Sequence, residues 1–282
     1  MNLIQPRTET VKIATFAKKQ IMNLSLKGKN ALVGGGSAGI GLASAIELSK
    51  LGASVTLISR TESALQNALR ELDCSADQKH GFIVADYNEP DKLDSSVSRL
   101  LDDNIFHVLV NNTGGPAGGP IITASVESFQ KAYMNHLVCN HLLAQRLVPG
   151  MKSAGFGRIV NVISTSVKEP IQGLGVSNTT RWAVAGWAKT LAAELGPYGI
   201  NVNNVLPGFT LTARLEEIIE KKIVSTGSER EFVVREMLEW VPLRRFADPA
   251  EIASVVAFLA SPAASYINGV SIPVDGGRTK SM

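Results

Sequence analysis

Residues 30–41 read Asn-Ala-Leu-Val-Gly-Gly-Gly-Ser-Ala-Gly-Ile-Gly, and no other stretch limits the fold so strongly. The apolar run Ala31-Leu32-Val33 is followed at once by glycines and then by a helical pattern from Ile40. That order reads as strand, tight turn, helix. Glycine tolerates positive φ in such a turn, and without a Cβ it lets backbone N–H groups approach a phosphate. The N-terminus of the following helix carries partial positive charge, which suits a pyrophosphate. Gly34, Gly36 and Gly39 match G-x-G-x-x-G, and Gly35, Gly39 and Gly41 match G-x-x-x-G-x-G. Glycine-rich turns also serve ordinary structural roles; placement between a strand and a helix is what directs this one to a nucleotide.

The rest of the chain repeats the strand–helix alternation. Strands are expected at Val55–Ile58, Gly81–Ala85, Val108–Val110, Arg158–Ile163, Ile200–Val205 and Val270–Val274. Helices are expected at Thr61–Leu72 with Thr61 as N-cap, Pro90–Leu101, Ser125–Leu147, Asn178–Leu195 and Pro249–Ala260, with one or two more over 212–240. Such alternation implies right-handed crossovers and a parallel sheet covered on both faces. The ligand crevice of such a sheet lies at the carboxyl ends of its strands. Polar and glycine-rich punctuation recurs there, at 34–41, 59–60, 86–87, 111–115, 164–166 and 207–212.

Composition excludes other classes. The net charge of +3 is too small to point to nucleic acid, and no block of like charges is present. No uninterrupted apolar run is long enough to cross a membrane. Cys74 and Cys139 read as buried thiols of helix-like segments in a reducing cytoplasm. His136 and His141 lie five residues apart, off a common helix face, so no metal site is expected. Over residues 1–21, Lys12, Lys18 and Lys19 interleave with apolar residues, and Met22 opens a segment that reads like a protein start. Residues 1–21 are therefore read as an extension, and 22–282 as one domain with a variable substrate region at about 212–240.

At the end of the second strand an acidic residue favours NAD, whereas a basic one accommodates a 2′-phosphate. Here Ser59 and Arg60 stand there, Arg60 falling 19 residues past Gly41. Its planar donor fork suits phosphate, so NADP(H) is expected in preference to NAD(H).

The assembled pattern resembles the classical branch of the short-chain dehydrogenase/reductase family, which includes the 3-oxoacyl-ACP reductases. The resemblance spans about residues 24–278. It rests on Gly-Gly-x-x-x-Gly-Ile-Gly at 34–41, Asp86, Asn-Asn-Thr-Gly at 111–114, Asn135, Gly-Arg-Ile-Val-Asn-Val-Ile-Ser at 157–164, the segment 192–203, Pro-Gly at 207–208 and Val-Asp-Gly-Gly at 274–277. It implies a single Rossmann-type, doubly wound parallel α/β sheet of about seven strands, in a homotetramer or homodimer acting on a small carbonyl or alcohol. It also implies cofactor contacts from Gly35, Ser37, Gly39, Ile40 and Gly41, from Asp86 and Tyr87 flanking the adenine, and from Asn112 and Gly114 along the ribose. Pro207, Gly208, Thr210 and Thr212 would hold the nicotinamide end. Gly34 stands where the family usually has threonine, and Thr113 where it has alanine.

The catalytic motif departs further. The family's acid is a tyrosine followed four residues later by lysine, with a serine thirteen residues upstream. Ser164 is that serine, Asn135 matches the family's asparagine, and Ser177 and Arg181 occupy the tyrosine and lysine positions. No tyrosine lies between Tyr133 and Tyr198, so a shifted register recovers none. A serine hydroxyl is a far weaker acid than tyrosine, and arginine stays protonated. Arg181 retains the ability to bond a cofactor ribose and to face a developing oxyanion. Two functions follow: an NADP(H)-dependent carbonyl reductase with altered acid chemistry, or a non-catalytic, regulatory NADP(H)-binding protein. A non-redox elimination or isomerisation is a third, without specific support in the sequence.

Overall fold

The computed structural model describes residues 22–102 and 104–281; the reading of residues 1–21 lies outside these. In chain order the elements are β1 (Asn30–Gly34), α1 (Gly39–Lys50), β2 (Ser54–Ser59), α2 (Glu62–Leu69), β3 (Gly81–Val84), α3 (Pro90–Leu101) and β4 (Val108–Asn111). There follow α4 (Val126–Tyr133), a π-helical turn (Met134–Val138), α5 (Cys139–Ala154), β5 (Gly157–Val162), α6 (Gly175–Leu195) and β6 (Ile200–Pro207). The chain ends with α7 (Ala213–Thr226), α8 (Arg230–Glu239), α9 (Pro249–Ala260) and β7 (Ser271–Val274).

The seven strands form one sheet in the order β3-β2-β1-β4-β5-β6-β7, every pair parallel. Alternate strand residues face opposite layers, as the two-residue period of a strand requires. Ala31, Val33, Val55, Leu57, Val108, Val110, Val160 and Val162 pack with α1, α2 and α9 on one side. Leu32, Ile58, Leu109, Ile159, Ile200 and Val202 pack with α3, α5 and α6 on the other. Burial on both faces is why these strands read as continuous apolar runs. The strand order reverses between β1 and β4, which opens the crevice above their carboxyl ends.

Where the sequence strands turn polar, they form a ladder. Asn111, Asn161, Asn204 and Ser271 stand side by side on β4, β5, β6 and β7. Asn111 Nδ2 donates to Asn161 Oδ1 at 2.8 Å, Asn161 Nδ2 to Asn204 Oδ1 at 2.9 Å, and Asn204 Nδ2 to Ser271 Oγ at 3.0 Å. The ladder ties four strands together directly beneath the crevice.

Several expectations need correcting. The helix expected to stop at Leu147 runs on to Ala154 through Pro149, and ends at Gly155 in the left-handed conformation, φ 59°. Proline disfavours a helix interior, but here it lies inside the helix on its exposed side without ending it. The same long helix is interrupted by the π turn at Met134–Val138. Thr61 precedes α2 without a side-chain cap, and α2 ends at Leu69. Cys74 sits exposed in the loop after α2; only Cys139 is buried.

Candidate active site

The glycine turn is shaped for a phosphate. Gly35 and Gly39 adopt φ 57° and 54°, conformations that a side chain disfavours. A Cβ on Gly41 would collide with the Gly35 carbonyl, so Gly41 serves the close packing of turn and helix; it is not among the residues lining the cleft, whereas the resemblance implies a cofactor contact from it. α1 begins at Ala38 with no side-chain cap and no acidic residue in its first turn. Its leading N–H groups are thereby left for an anion. The Thr212 methyl lies 3.2 Å from where a Gly39 Cβ would stand, so the β6–α7 connection closes over the turn. Asn112 Nδ2 braces the turn from below, donating to the Gly34 carbonyl at 3.2 Å.

A chamber of 310 Å³ opens beside the turn, lined by Gly35, Ser59, Arg60, Asp86, Asn88 and Gly114 among others. Ser59 Oγ and Ser37 Oγ lie 2.8 Å apart, and Arg60 is exposed at the chamber's outer wall. Tyr87 lines this chamber too, yet its ring is buried, 6% exposed, and a Cβ on Gly34 would collide with its hydroxyl. Gly34 and Tyr87 are thus matched: the phenol occupies the space that threonine would need. Burial pushes the Tyr87 hydroxyl above its ordinary pKa.

The adjoining cleft, 560 Å³, receives Ser164, Ser177 and Arg181 together with Gly35, Gly39, Ile40, Asn112, Gly114, Pro207, Gly208, Thr210 and Thr212. Ser164 lies two residues beyond β5 and caps the short turn at Thr165–Val167, accepting from the Ser166 N–H at 3.1 Å. Ser177 and Arg181 project from successive turns of α6, the spacing that puts residues on one helix face. Arg181 is 8% exposed, and its Nη1 donates to the Val162 carbonyl at 3.0 Å. Burial, with the neighbouring Arg214, lowers its pKa to about 10, so it stays a cation at neutral pH.

Asn135 is not brought to these three. It lies in the π turn, where its Nδ2 donates to Asn88 Oδ1 at 3.1 Å, and it lines the chambers on the other side of Gly114–Gly115. The π turn re-aims the helix at this point, as π-bulges at functional sites commonly do. Its neighbour His136 is buried; burial first and then Arg181 hold its imidazole well below the ordinary range, so it is neutral.

The family model described as Enoyl-(Acyl carrier protein) reductase matches residues 35–279, from the glycine turn to beyond β7. A tropinone reductase homologue of Arabidopsis thaliana is 35% identical over 90% of this chain and 94% of its own length. The chain belongs to the short-chain dehydrogenase/reductase family. Among solved members of the short-chain dehydrogenases/reductases, L-sorbose reductase from Gluconobacter frateurii, complexed with NADPH and L-sorbose, superposes with a TM-score of 0.86. It is 31% identical, covering 93% of this chain and all (100%) of the reductase. Levodione reductase superposes at 0.84 with 25% identity, covering 91% and 99% of the two chains. The short-chain dehydrogenase/reductase fold accounts for the sheet, its strand order and the crevice.

Sequence reasoning missed two features of the site. One is the asparagine ladder, signalled by lone asparagines in otherwise apolar strands. The other is Arg214, in the first turn of α7, which lines the same cleft as Arg181. An arginine at a helix N-terminus opposes the helix dipole, and that anomaly was the available signal.

Among the described residues no group of three or more metal-ligating side chains comes together, and no helix is long and apolar enough to cross a membrane.

Proposed function

We propose that the protein is an NADP(H)-dependent carbonyl reductase in which Ser177 and Arg181 replace the tyrosine–lysine pair of its family. The observation that carries this reading is Arg181, a buried guanidinium in the same cleft as Ser164 and the glycine turn. The uncapped helix start and the Ser37–Ser59 hydroxyl pair beside Arg60 fit a dinucleotide bearing an extra phosphate. L-sorbose reductase, complexed with NADPH, lends support from outside the chain.

Gly35, Gly39 and Ile40 would hold the pyrophosphate, Arg60 with Ser59 the 2′-phosphate, and Asn112, Gly114, Pro207, Gly208, Thr210 and Thr212 the nicotinamide half. NADPH, when bound, supplies a hydride. Ser164 donates a hydrogen bond to the carbonyl oxygen, and Arg181 sets a fixed positive charge beside the negative charge growing there. Ser177 passes the proton from solvent through its hydroxyl. Loss of a strong general acid typically forfeits about 10²–10⁴ in rate, so substrates that give stabilised oxyanions are favoured: diketones, quinones or 3-oxoacyl groups. Asn135, turned toward Asn88, acts through the shape of the π turn and the neighbouring loop.

The second reading, a non-catalytic or regulatory NADP(H)-binding protein, is favoured by the loss of the tyrosine–lysine pair, with Ser177 and Arg181 in its place. Following NADPH oxidation with diketones, quinones, 3-oxoacyl thioesters and aldehydes separates the two, with calorimetric NADPH binding as control. Turnover supports the reductase; tight binding without turnover on any of the four classes supports the alternative.

A further inference from the structure

Two guanidinium groups converge on one point of the cleft wall. A Cβ built on Gly115 would lie 3.7 Å from Arg181 Nη2 and 4.0 Å from Arg214 Nη2. Arg181 is 8% exposed, and its Nε has no hydrogen-bond partner among the described residues. Arg214 is held by two bonds: Nη2, the atom nearest that point, donates to the Pro116 carbonyl at 2.7 Å, and Nη1 donates to Glu217 at 2.9 Å, a carboxylate 60% exposed to solvent. Among the described residues no carboxylate pairs with Arg181, whose Nη1 donates to the Val162 carbonyl. Like charges held this close repel, the more strongly for being withdrawn from water. The fold nevertheless fixes them from two separate elements, α6 and the first turn of α7.

The surroundings give the pair a direction. Ser164, Ser177 and Gly208 lie in the same cleft, with Leu174, Phe209 and Ile218 as apolar wall. The phosphate-shaped turn is elsewhere in that cleft, where Thr212 meets Gly39. One terminal nitrogen from each guanidinium lies at this point, each group has N–H donors beyond the bonds just given, and two such cations match the paired oxygens of a carboxylate or phosphate.

We propose that Arg181 and Arg214 form an anion site for the substrate, so that the carbonyl compound reduced here carries a carboxylate or phosphate close to its oxo group. The proposal rests on the reductase reading and names its substrate class. Arg214 anchors the anion; Arg181 faces both the anion and the carbonyl oxygen. The repulsion between the two cations is relieved when the substrate enters, which makes binding selective for anions over neutral carbonyls of the same shape.

The test is calorimetric. The protein is saturated with NADP⁺, then titrated with malonate, with inorganic phosphate and with the neutral dimethyl malonate. Malonate or phosphate is expected to bind and the diester not to; the tighter anion identifies the group recognised. In Arg214→Gln the Kd of that anion should rise about 10- to 100-fold, the loss of a charge-assisted fork, while NADP⁺ affinity changes by less than about threefold. Arg214→Lys, which keeps the charge without the fork, should fall between, and covers the case in which the glutamine variant folds poorly. Absence of anion binding to the NADP⁺ complex, or anion binding indifferent to both substitutions, overturns the proposal. An equal loss of NADP⁺ affinity in Arg214→Gln also overturns it, because the pair would then serve the cofactor. Failure of the unaltered protein to bind NADP⁺ is a different result: it removes the reductase reading beneath the proposal.

Discussion

Arg60 is exposed, borders both the 310 Å³ chamber and the 560 Å³ cleft, and has Ser59 and Ser37 beside it. In the proposed reading it discriminates between dinucleotides without contributing to the fold. Arg60→Asp should weaken NADPH about 10- to 100-fold and leave NADH within a few-fold, read by calorimetry on both. Equal effects on the two would contradict the assignment. Gly41 is the opposite kind of residue. It does not line the cleft, yet any Cβ there meets the Gly35 carbonyl. Gly41→Ala is therefore expected to displace the turn and abolish NADPH binding while leaving the far side of the sheet folded, which amide hydrogen exchange would resolve strand by strand. Loss of NADPH affinity by less than about tenfold would show that the turn relaxes at small cost.

At the scale of elements, the asparagine ladder and the start of α9 carry the predictions. Asn161 is fully buried and bonded on both sides, to Asn111 and Asn204. Asn161→Leu leaves the Asn111 Nδ2 donor and the Asn204 Oδ1 acceptor unpaired in the sheet interior, and should lower stability by about 2–4 kcal/mol in denaturant unfolding with an unchanged slope. At α9, Arg245 donates to both oxygens of Glu251 at 2.6 Å, and the Asp248 N–H donates to one of them at 2.9 Å. These bonds, Arg245 first, hold the Glu251 pKa down from 4.5 to about 2. The folded state thus prefers the ionised carboxylate. Its contribution is complete above the unfolded value of 4.5 and is lost as pH falls toward about 2. Glu251→Gln should flatten the stability–pH curve in that window and nowhere else; an unchanged acid limb would contradict it. The same elements show what was legible. Strands buried on both faces announce themselves as apolar runs, and Pro90 and Pro249 mark their helix starts correctly. The π turn at Met134–Val138 was not legible, because one extra residue in a helix leaves no mark in composition. Nor was the continuation past Leu147 legible, because Pro149 lies inside α5 without ending it.

For the molecule as a whole, the sheet order and the crevice follow from alternating strands and helices, and the glycine turn fixes where a dinucleotide enters. The spacing that aligns Ser164, Ser177 and Arg181 in sequence also gathers them in one cleft. Spacing could not foresee that Asn135 would turn toward Asn88, that Tyr87 would fill the space above Gly34, or that Arg214 would meet Arg181, because each depends on packing between distant elements. The central claim is that this scaffold reduces carbonyls with an arginine and two serines in place of the usual acid. The measurement that tests it most directly is single-turnover NADPH oxidation by a diketone, in the natural protein, in Ser164→Ala, in Arg181→Ala and in the double variant Ser177→Tyr with Arg181→Lys. The account predicts measurable oxidation by the natural protein and a loss of about 10²-fold or more in each alanine variant. NADPH bound but unoxidised in the natural protein, with oxidation appearing only in the double variant, would contradict it and mark a cofactor site whose chemistry has been lost.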